Sequence, residues 1–253
     1  MENAFSQQIA VIADIHGNRD ALVAVLEDID ALGVTTIINL GDHLSGPLAA
    51  RDTADLILSR EMVNIRGNHD RCLIEIPPDQ MGLSDRVAFD QLTEHHLDWL
   101  RSLPPTKVVD GEMFLCHGTP RDDSIYWLEE VSDSGLVSFR SHEAINSMAS
   151  GLQYEIMLCG HTHLPRTVRL SDNRMVVNPG SVGLPGYDDL TPVPHVMQTG
   201  TPDACYALLE KRNLQWKVTH RHVPYDSKQM VRLAEKANRP EWARALATGW
   251  AFP

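Results

Sequence analysis

The sequence predicts an α/β sandwich of two sheets with helices outside, folded as one domain. Short apolar runs alternate with amphipathic helical stretches through the first half of the chain, and from Arg166 onward the texture turns to antiparallel-looking β. Apolar residues make up 43% of the 253 positions and charged residues 22%, the balance of a chain that buries a core rather than staying disordered. That length suits one large α/β domain.

The elements follow in order. Gln8–Ala13 reads as a buried strand, and Asn18–Leu32 as a helix with Leu22, Val25, Ile29 and Leu32 at helical spacing and Gly33 as its stop. Thr36–Leu40 is a second strand, Asp52–Arg60 a helix and Met62–Ile65 a third strand. Ser84–Leu100 reads as one long helix, with Ser84 as its N-cap and Pro104–Pro105 beyond its end. Met113–Cys116 and Ile156–Cys159 are short buried strands on either side of a polar, partly helical insertion. Arg166–Leu170, Met175–Val177, Cys205–Glu210 and Trp216–Val223 read as strands, interrupted by a Pro/Gly-rich loop over Leu184–Pro202. A helical tail over about residues 226–253, broken at Pro240, completes a single domain spanning 1–253.

Composition narrows the setting. The formal net charge of −12 opposes long nucleic acids and anionic membrane surfaces. The early apolar run Ile9–Ala13 is too short for a signal-peptide core, and no stretch reaches the length of a membrane span. Cys72, Cys116, Cys159 and Cys205 are widely spaced with no CxxC pair, which reads as reduced thiols of a cytoplasmic protein. Twelve histidines are the unusual count.

Their placement carries the chemistry. The first strand runs into Asp14-Ile15-His16-Gly17-Asn18, the second into Gly41-Asp42 and the third into Gly67-Asn68-His69-Asp70. The Met113 strand ends at His117-Gly118 and the Ile156 strand at Gly160-His161-Thr162-His163. Ligands of open α/β sheets bind beyond the carboxyl ends of strands, so five strand ends deliver Asp, Asn and His to one edge. A D-x-H or H-x-H pair on an extended segment would turn both side chains to one face. Nitrogen and oxygen donors without thiolate suit Mn²⁺, Fe or Zn²⁺. Asp14, His16, Asp42, Asn68, His117, His161 and His163 are more donors than one ion needs, and with one bridging carboxylate they suit two adjacent ions. A single such residue would mean little, because capped turn residues are commoner than ligands.

The ordered set D-x-H-G-N, GD, GNHD, HG and GHTH resembles the calcineurin-like metallophosphoesterase superfamily. His117-Gly118-Thr119-Pro120-Arg121 and Asn178-Pro179-Gly180-Ser181-Val182-Gly183-Leu184-Pro185 look like its bacterial branch of small phosphodiesterases, often labelled by similarity to diadenosine tetraphosphatases. The likeness runs from about Gln8 to Tyr225. It implies a four-layer α/β/β/α sandwich. One metal would be held by Asp14, His16 and His163, the other by Asn68, His117 and His161, with Asp42 bridging and His69 as the catalytic histidine. The implied reaction is attack of a metal-bridging hydroxide on a small phosphodiester or dinucleoside polyphosphate. The cofactor would be two divalent ions, Mn²⁺ first and Fe, Ni, Co or Zn as alternatives.

The chain departs from that branch after Asp42, where Gly41-Asp42-His43-Leu44-Ser45-Gly46-Pro47 replaces an apolar residue and a tyrosine before Gly-Pro. His43 reads as an outward-facing loop histidine or as a substrate contact. Arg66 and Arg121, close to metal motifs, read as partners of substrate phosphate or of a carboxylate. Asp70 reads either as a support for a neighbouring group or as a solvated turn residue. The Leu184–Pro202 loop, with Tyr187, Asp188, Asp189 and His195, reads as a lid, a surface excursion or a contact between copies in a homo-oligomer. Competing readings are a phosphomonoesterase of the same superfamily and a non-catalytic scaffold. The protein-phosphatase variant lacks its usual second Asp and Arg-Gly after GD, and a scaffold would have lost motif positions that are all present here.

Overall fold

A computed structural model describes residues 7–213 and 215–252. The chain runs β1 (Gln7–Ile12), α1 (Arg19–Ala31), β2 (Thr36–Asn39), α2 (Ala50–Leu58), β3 (Val63–Asn64), α3 (Asn68–Glu75), α4 (Leu83–Phe89) and α5 (Glu94–Ser102). There follow β4 (Lys107–Val109), β5 (Met113–Leu115), β6 (Glu129–Val131), β7 (Val137–Phe139), α6 (His142–Met148), β8 (Ile156–Leu158), β9 (Arg166–Arg169) and β10 (Met175–Asn178). The last part is β11 (Gly186–Asp189), β12 (His195–Gln198), β13 (Ala204–Arg212), β14 (Gln215–Val223), α7 (Lys228–Lys236) and α8 (Pro240–Thr248).

Two five-stranded sheets form, in the orders β14-β13-β1-β2-β3 and β4-β5-β8-β10-β9. Period-two alternation explains how they stack. Along β1 and just beyond it, Ile9, Val11 and Ala13 meet Leu115, Leu158 and Val177 of the other sheet in one buried cluster. Ala10 and Ile12 turn the other way, into a cluster with Leu22, Val25 and Ile29 of α1 and Ile57 of α2. On the second sheet, Phe114, Met157 and Val176 point outward against Ile145 of α6 and Trp127. Three apolar interfaces between four layers make an α/β/β/α sandwich, the architecture expected. Each fully buried Ile or Leu in them contributes roughly 1.5–3 kcal/mol of burial free energy.

Strand direction places the chemistry. β1, β2 and β3 run parallel, as do β5 and β8, so their carboxyl ends open at one edge of each sheet. Asn18 starts α1 as its N-cap, its side-chain oxygen accepting from the Ala21 amide at 3.1 Å.

Three elements differ from the sequence reading. The segment Ser84–Leu100 is two helices, because Thr93 begins α5 with a capping box in which the Thr93 amide donates to His96 Nδ1 at 3.2 Å. A local cap thus interrupts a periodicity that looked continuous, and Gly82 rather than Ser84 caps α4. Asn68 and His69 are the first residues of α3 rather than part of a strand-end loop. Within Leu184–Pro202 the chain forms a hairpin, β11 pairing antiparallel with β12 from Gly186↔Gln198 to Asp189↔His195. Pro240 stands in the first turn of α8, where its missing amide costs nothing, so the tail breaks just before it. No helix among the described residues is long and apolar enough to cross a membrane.

Candidate metal centre

Asp14, His16, Asp42, His161 and His163 all have positive φ, between 51° and 72°. The other non-glycine residues with positive φ among those described are Asp110, Asn173, Asn213 and Asn238, types that tolerate the left-handed region. Left-handed histidines are uncommon, and three here stand within two short motifs; such strain persists where surrounding structure over-determines it. The D-x-H and H-x-H pairs therefore do not converge by strand alternation. Sharp left-handed turns aim them instead.

The turns bring two groups together. Asp14, His16 and His163 form one, Asp42, His117 and His161 the other, each with ligand-capable atoms within 4.8 Å of one another. Asp42 lies between them, its Oδ2 3.2 Å from His117 Nε2 and 3.7 Å from His16 Nε2. Asn68 lines the same cleft, and its buried Oδ1 has no hydrogen-bond partner.

Imidazole tautomers show what the groups lack. His16 Nδ1 lies 2.8 Å from the Ser45 carbonyl, His117 Nδ1 2.8 Å from that of Leu40 and His163 Nδ1 2.6 Å from that of Leu184. A carbonyl only accepts, so each Nδ1 carries a proton and each Nε2 is the nitrogen turned toward the carboxylates, free to ligate whenever it is deprotonated. His16 Nε2 and His163 Nε2 stand 3.2 Å apart, and His163 Nε2 is 3.5 Å from Asp14 Oδ1. His117 Nε2 is buried with no hydrogen-bond partner of acceptable geometry. Lone pairs facing lone pairs and carboxylates repel unless a cation or a proton lies among them.

Titration follows the same logic. Burial pushes His16 and His161 down to about 4, so both stay neutral and able to ligate at pH 7. Burial opposes charge at His117 too, but Asp42 and Asp14 win and raise it to about 10. Asp14 and Asp42 fall below the usual carboxylate range against the cost of burial, held there mainly by His163 and His117 respectively. The paired carboxylates demand positive charge, and a divalent cation is the group that supplies it with no proton on Nε2. These residues therefore fit such ions.

His69 stands at the edge of this centre. Its backbone amide donates to Asp42 Oδ1 at 2.9 Å, and its Nδ1 lies 3.1 Å from Asp85 Oδ1 and 3.3 Å from Ser45 Oγ. Burial lowers its pKa, but Asp42 and Asp85 outweigh burial and raise it to about 9, a protonated imidazole at neutral pH. Its side chain is 39% exposed and opens to the cleft, where a proton can be delivered.

Asp70 ties the two halves of the loop structure. Wholly buried, it accepts from the amides of Asp42 (2.8 Å), His43 (3.0 Å) and Gly67 (2.9 Å), and pairs with His43 Nδ1 at 2.7 Å. It is neither solvated nor a turn ornament. Gly67 completes the junction, because a Cβ there would collide with the Asp42 carboxylate. Asp70→Ala would leave three buried amides and an imidazole N–H without an acceptor. It should cost at least about 3 kcal/mol, read by urea unfolding of the metal-free protein. A change below ~1 kcal/mol would show that water replaces the carboxylate.

Three sequence candidates are placed elsewhere. His43 is buried, bonded to Asp70 and edge-on to Trp99 at 5.0 Å, so it faces neither solvent nor the cleft. The buried Asp70 carboxylate and the Trp99 ring of α5 explain why a loop histidine turns inward. Arg66 does not line the cleft; its amide donates to the Pro104 carbonyl at 2.9 Å, fixing the chain between β3 and α3. Arg121 is exposed on a different depression, with Ile125 and Met148.

The cleft also holds residues that motif spacing did not signal. Tyr187 of β11 packs its ring on His163 at 4.6 Å and donates to the His161 carbonyl at 3.1 Å. Trp242 of α8 stands edge-on to His16 at 5.9 Å, and Arg239 and Glu241 join it on the wall. Asp85 of α4 was read only as part of a helix. No motif links these positions to the metal residues in sequence.

A model of the calcineurin-like phosphoesterase superfamily domain matches residues 8–210. The chain belongs to the calcineurin-like phosphoesterase superfamily. A solved metallophosphoesterase from Sphaerobacter thermophilus shares 27% identity, with a TM-score of 0.73, and the likeness covers 96% of this chain and all of that one. The uncharacterized protein MJ0912 of Methanocaldococcus jannaschii is 25% identical over 248 residues, covering 92% of this chain and 94% of its own length. Membership of this superfamily supports hydrolase activity.

Proposed function

We propose that this protein is a metal-dependent phosphoesterase of small phosphate esters, cleaving phosphodiester or dinucleoside polyphosphate bonds. The observation that carries the reading is the set of Nε2 atoms of His16, His117 and His163 turned by their Nδ1 bonds toward Asp14 and Asp42, with His69 alongside. Asp14, His16 and His163 would hold one divalent cation, and Asn68, His117 and His161 the other, with Asp42 shared. When bound, the two cations neutralise phosphoryl oxygens and acidify water near neutral pH. Mn²⁺ is the first choice for this nitrogen and oxygen donor set, with Fe, Ni, Co or Zn able to occupy it.

The chain's own residues do the rest. Ser45, Leu40 and Leu184 carbonyls fix the imidazole orientations, so no reorganisation is needed when charge arrives. His69 donates its proton to the departing oxygen, held in place by Asp85 and Ser45. The cleft has a volume of about 240 Å³, room for a small phosphate ester rather than a macromolecule. The four cysteines are free thiols, in keeping with a cytoplasmic setting.

The test is turnover of bis-p-nitrophenyl phosphate by chelator-stripped protein with each cation restored in turn, alongside metal content per chain. Activity that appears only with added cation, at a stoichiometry near two, is expected. Protein that binds no cation and stays inert across the series would instead be a scaffold.

A further inference from the structure

The cleft wall above the metal residues is acidic, and that acidity selects among phosphate esters. Asp188 and Asp189 come from β11, Glu241 from α8, and all three line the cleft. They stand close to the chemistry. Tyr187, immediately before Asp188, touches both histidines of the GHTH motif, and Trp242, immediately after Glu241, reaches His16. Neither element belongs to the strand-end motifs that build the centre.

One cationic side chain, Arg239, shares this wall. It is already engaged: Nε donates to Glu241, Nη1 donates to Ser84 Oγ, and its guanidinium carbon lies 5.9 Å from the Trp242 ring. Asp188 is exposed, and Asp189 accepts from the Thr191 amide at 2.9 Å; among the described residues neither forms an ion pair. Beyond the two metal positions, three carboxylates against one guanidinium leave a ligand facing net negative charge, with aromatic surface from Trp242 and Tyr187 between.

From this we infer that the substrates are monoanionic phosphodiesters whose organic arms carry no further negative charge, and that Asp188, Asp189 and Glu241 exclude polyphosphates. The inference rests on the phosphoesterase reading and narrows it. A simple diester brings one negative charge, which the cations take, and its arms lie against the two aromatic rings and the acceptor carboxylates. A polyphosphate chain brings a charge on every further phosphate and must run them along the acidic wall. Like charges set opposite each other across a cleft suppress the wrong partner, and the effect weakens as salt shortens the screening length from ~10 Å at 0.1 M. Hydroxyl or amino groups on an arm would be welcome there as hydrogen-bond donors.

The experiment compares kcat/KM for bis-p-nitrophenyl phosphate, thymidine 5′-(p-nitrophenyl phosphate) and diadenosine tetraphosphate, all with saturating Mn²⁺. The diesters should exceed the tetraphosphate by about tenfold or more at low ionic strength. Raising salt to about 0.3 M should narrow that gap, by screening the wall. The triple variant Asp188→Asn/Asp189→Asn/Glu241→Gln should narrow it again, by about tenfold. Should that variant misfold through loss of the Arg239 contact, Asp188→Asn alone, on an exposed position, and the salt series on the unaltered protein decide the matter. Equal efficiency towards both classes, or a ratio that neither salt nor charge removal moves, overturns the inference and leaves the phosphoesterase reading intact. Turnover of neither class with any cation overturns that reading itself.

Discussion

Asp42→Ala is expected to abolish cation-dependent diester hydrolysis and to lower bound metal below two ions per chain. Asp42 Oδ2 stands near imidazoles of both groups, 3.2 Å from His117 Nε2 and 3.7 Å from His16 Nε2. Asp14 Oδ1 also reaches both, 3.5 Å from His163 Nε2 and 3.8 Å from His117 Nε2, but Asp42 makes the closest approach, to His117. Losing it removes a donor shared by both positions, together with the charge that favours a cation between them. The same substitution takes the acceptor from the His69 amide, so the catalytic histidine is displaced as the metals are lost. Asp42→Asn separates these effects, because it keeps a hydrogen-bond acceptor for His69 while discarding the charge. Metal analysis, circular dichroism and turnover on the same preparations give the answer. A folded Asp42→Ala protein with ordinary activity is incompatible with the assignment.

His69→Ala should behave differently. Metal content should stay near two, while kcat falls by about 10²–10⁴-fold on substrates with poor leaving groups. The imidazole contributes a proton rather than a metal bond, and its raised pKa of about 9 keeps that proton available at neutral pH. Substrates releasing p-nitrophenolate need little protonation, so their loss should be much smaller than that of an alkyl diester. This split is the decisive reading, because a merely structural defect would slow both equally. Asp85→Asn should reproduce a fraction of the effect, since Asp85 Oδ1 orients the ring from 3.1 Å. Equal losses on both substrates would rule out proton delivery by His69.

Much of the fold could be read from local pattern. The continuous apolar runs at Ile9–Ala13, Met113 and Ile156 report burial on both faces of a strand, which only stacked layers provide. The Ser84–Leu100 helix was misjudged because Thr93 reads as an ordinary helix residue until its cap is seen to close on His96. The hairpin within Leu184–Pro202 was hidden by prolines and glycines that resemble loop punctuation.

The metal residues were legible because each follows a parallel strand, and parallel strands end on one side. Why their side chains converge was not legible. Alternation on an extended segment was the natural expectation for Asp14 and His16, yet both are left-handed, and φ is set by the packed turns around them. His43 shows the converse error: chemically suited to the cleft and adjacent to Asp42, it is drawn inward by the buried Asp70 and Trp99.

The sequence by itself therefore determined the layered α/β architecture, the superfamily likeness and the seven candidate donors, because these depend on periodicity and on residue types at strand ends. Tertiary structure alone decided which donors share a group, which histidine nitrogens face the carboxylates, that Asp85 serves His69, and that β11 and α8 wall the cleft with Asp188, Asp189 and Glu241. Those features arise between segments far apart in the chain, where a side chain's role is set by the group it meets across space.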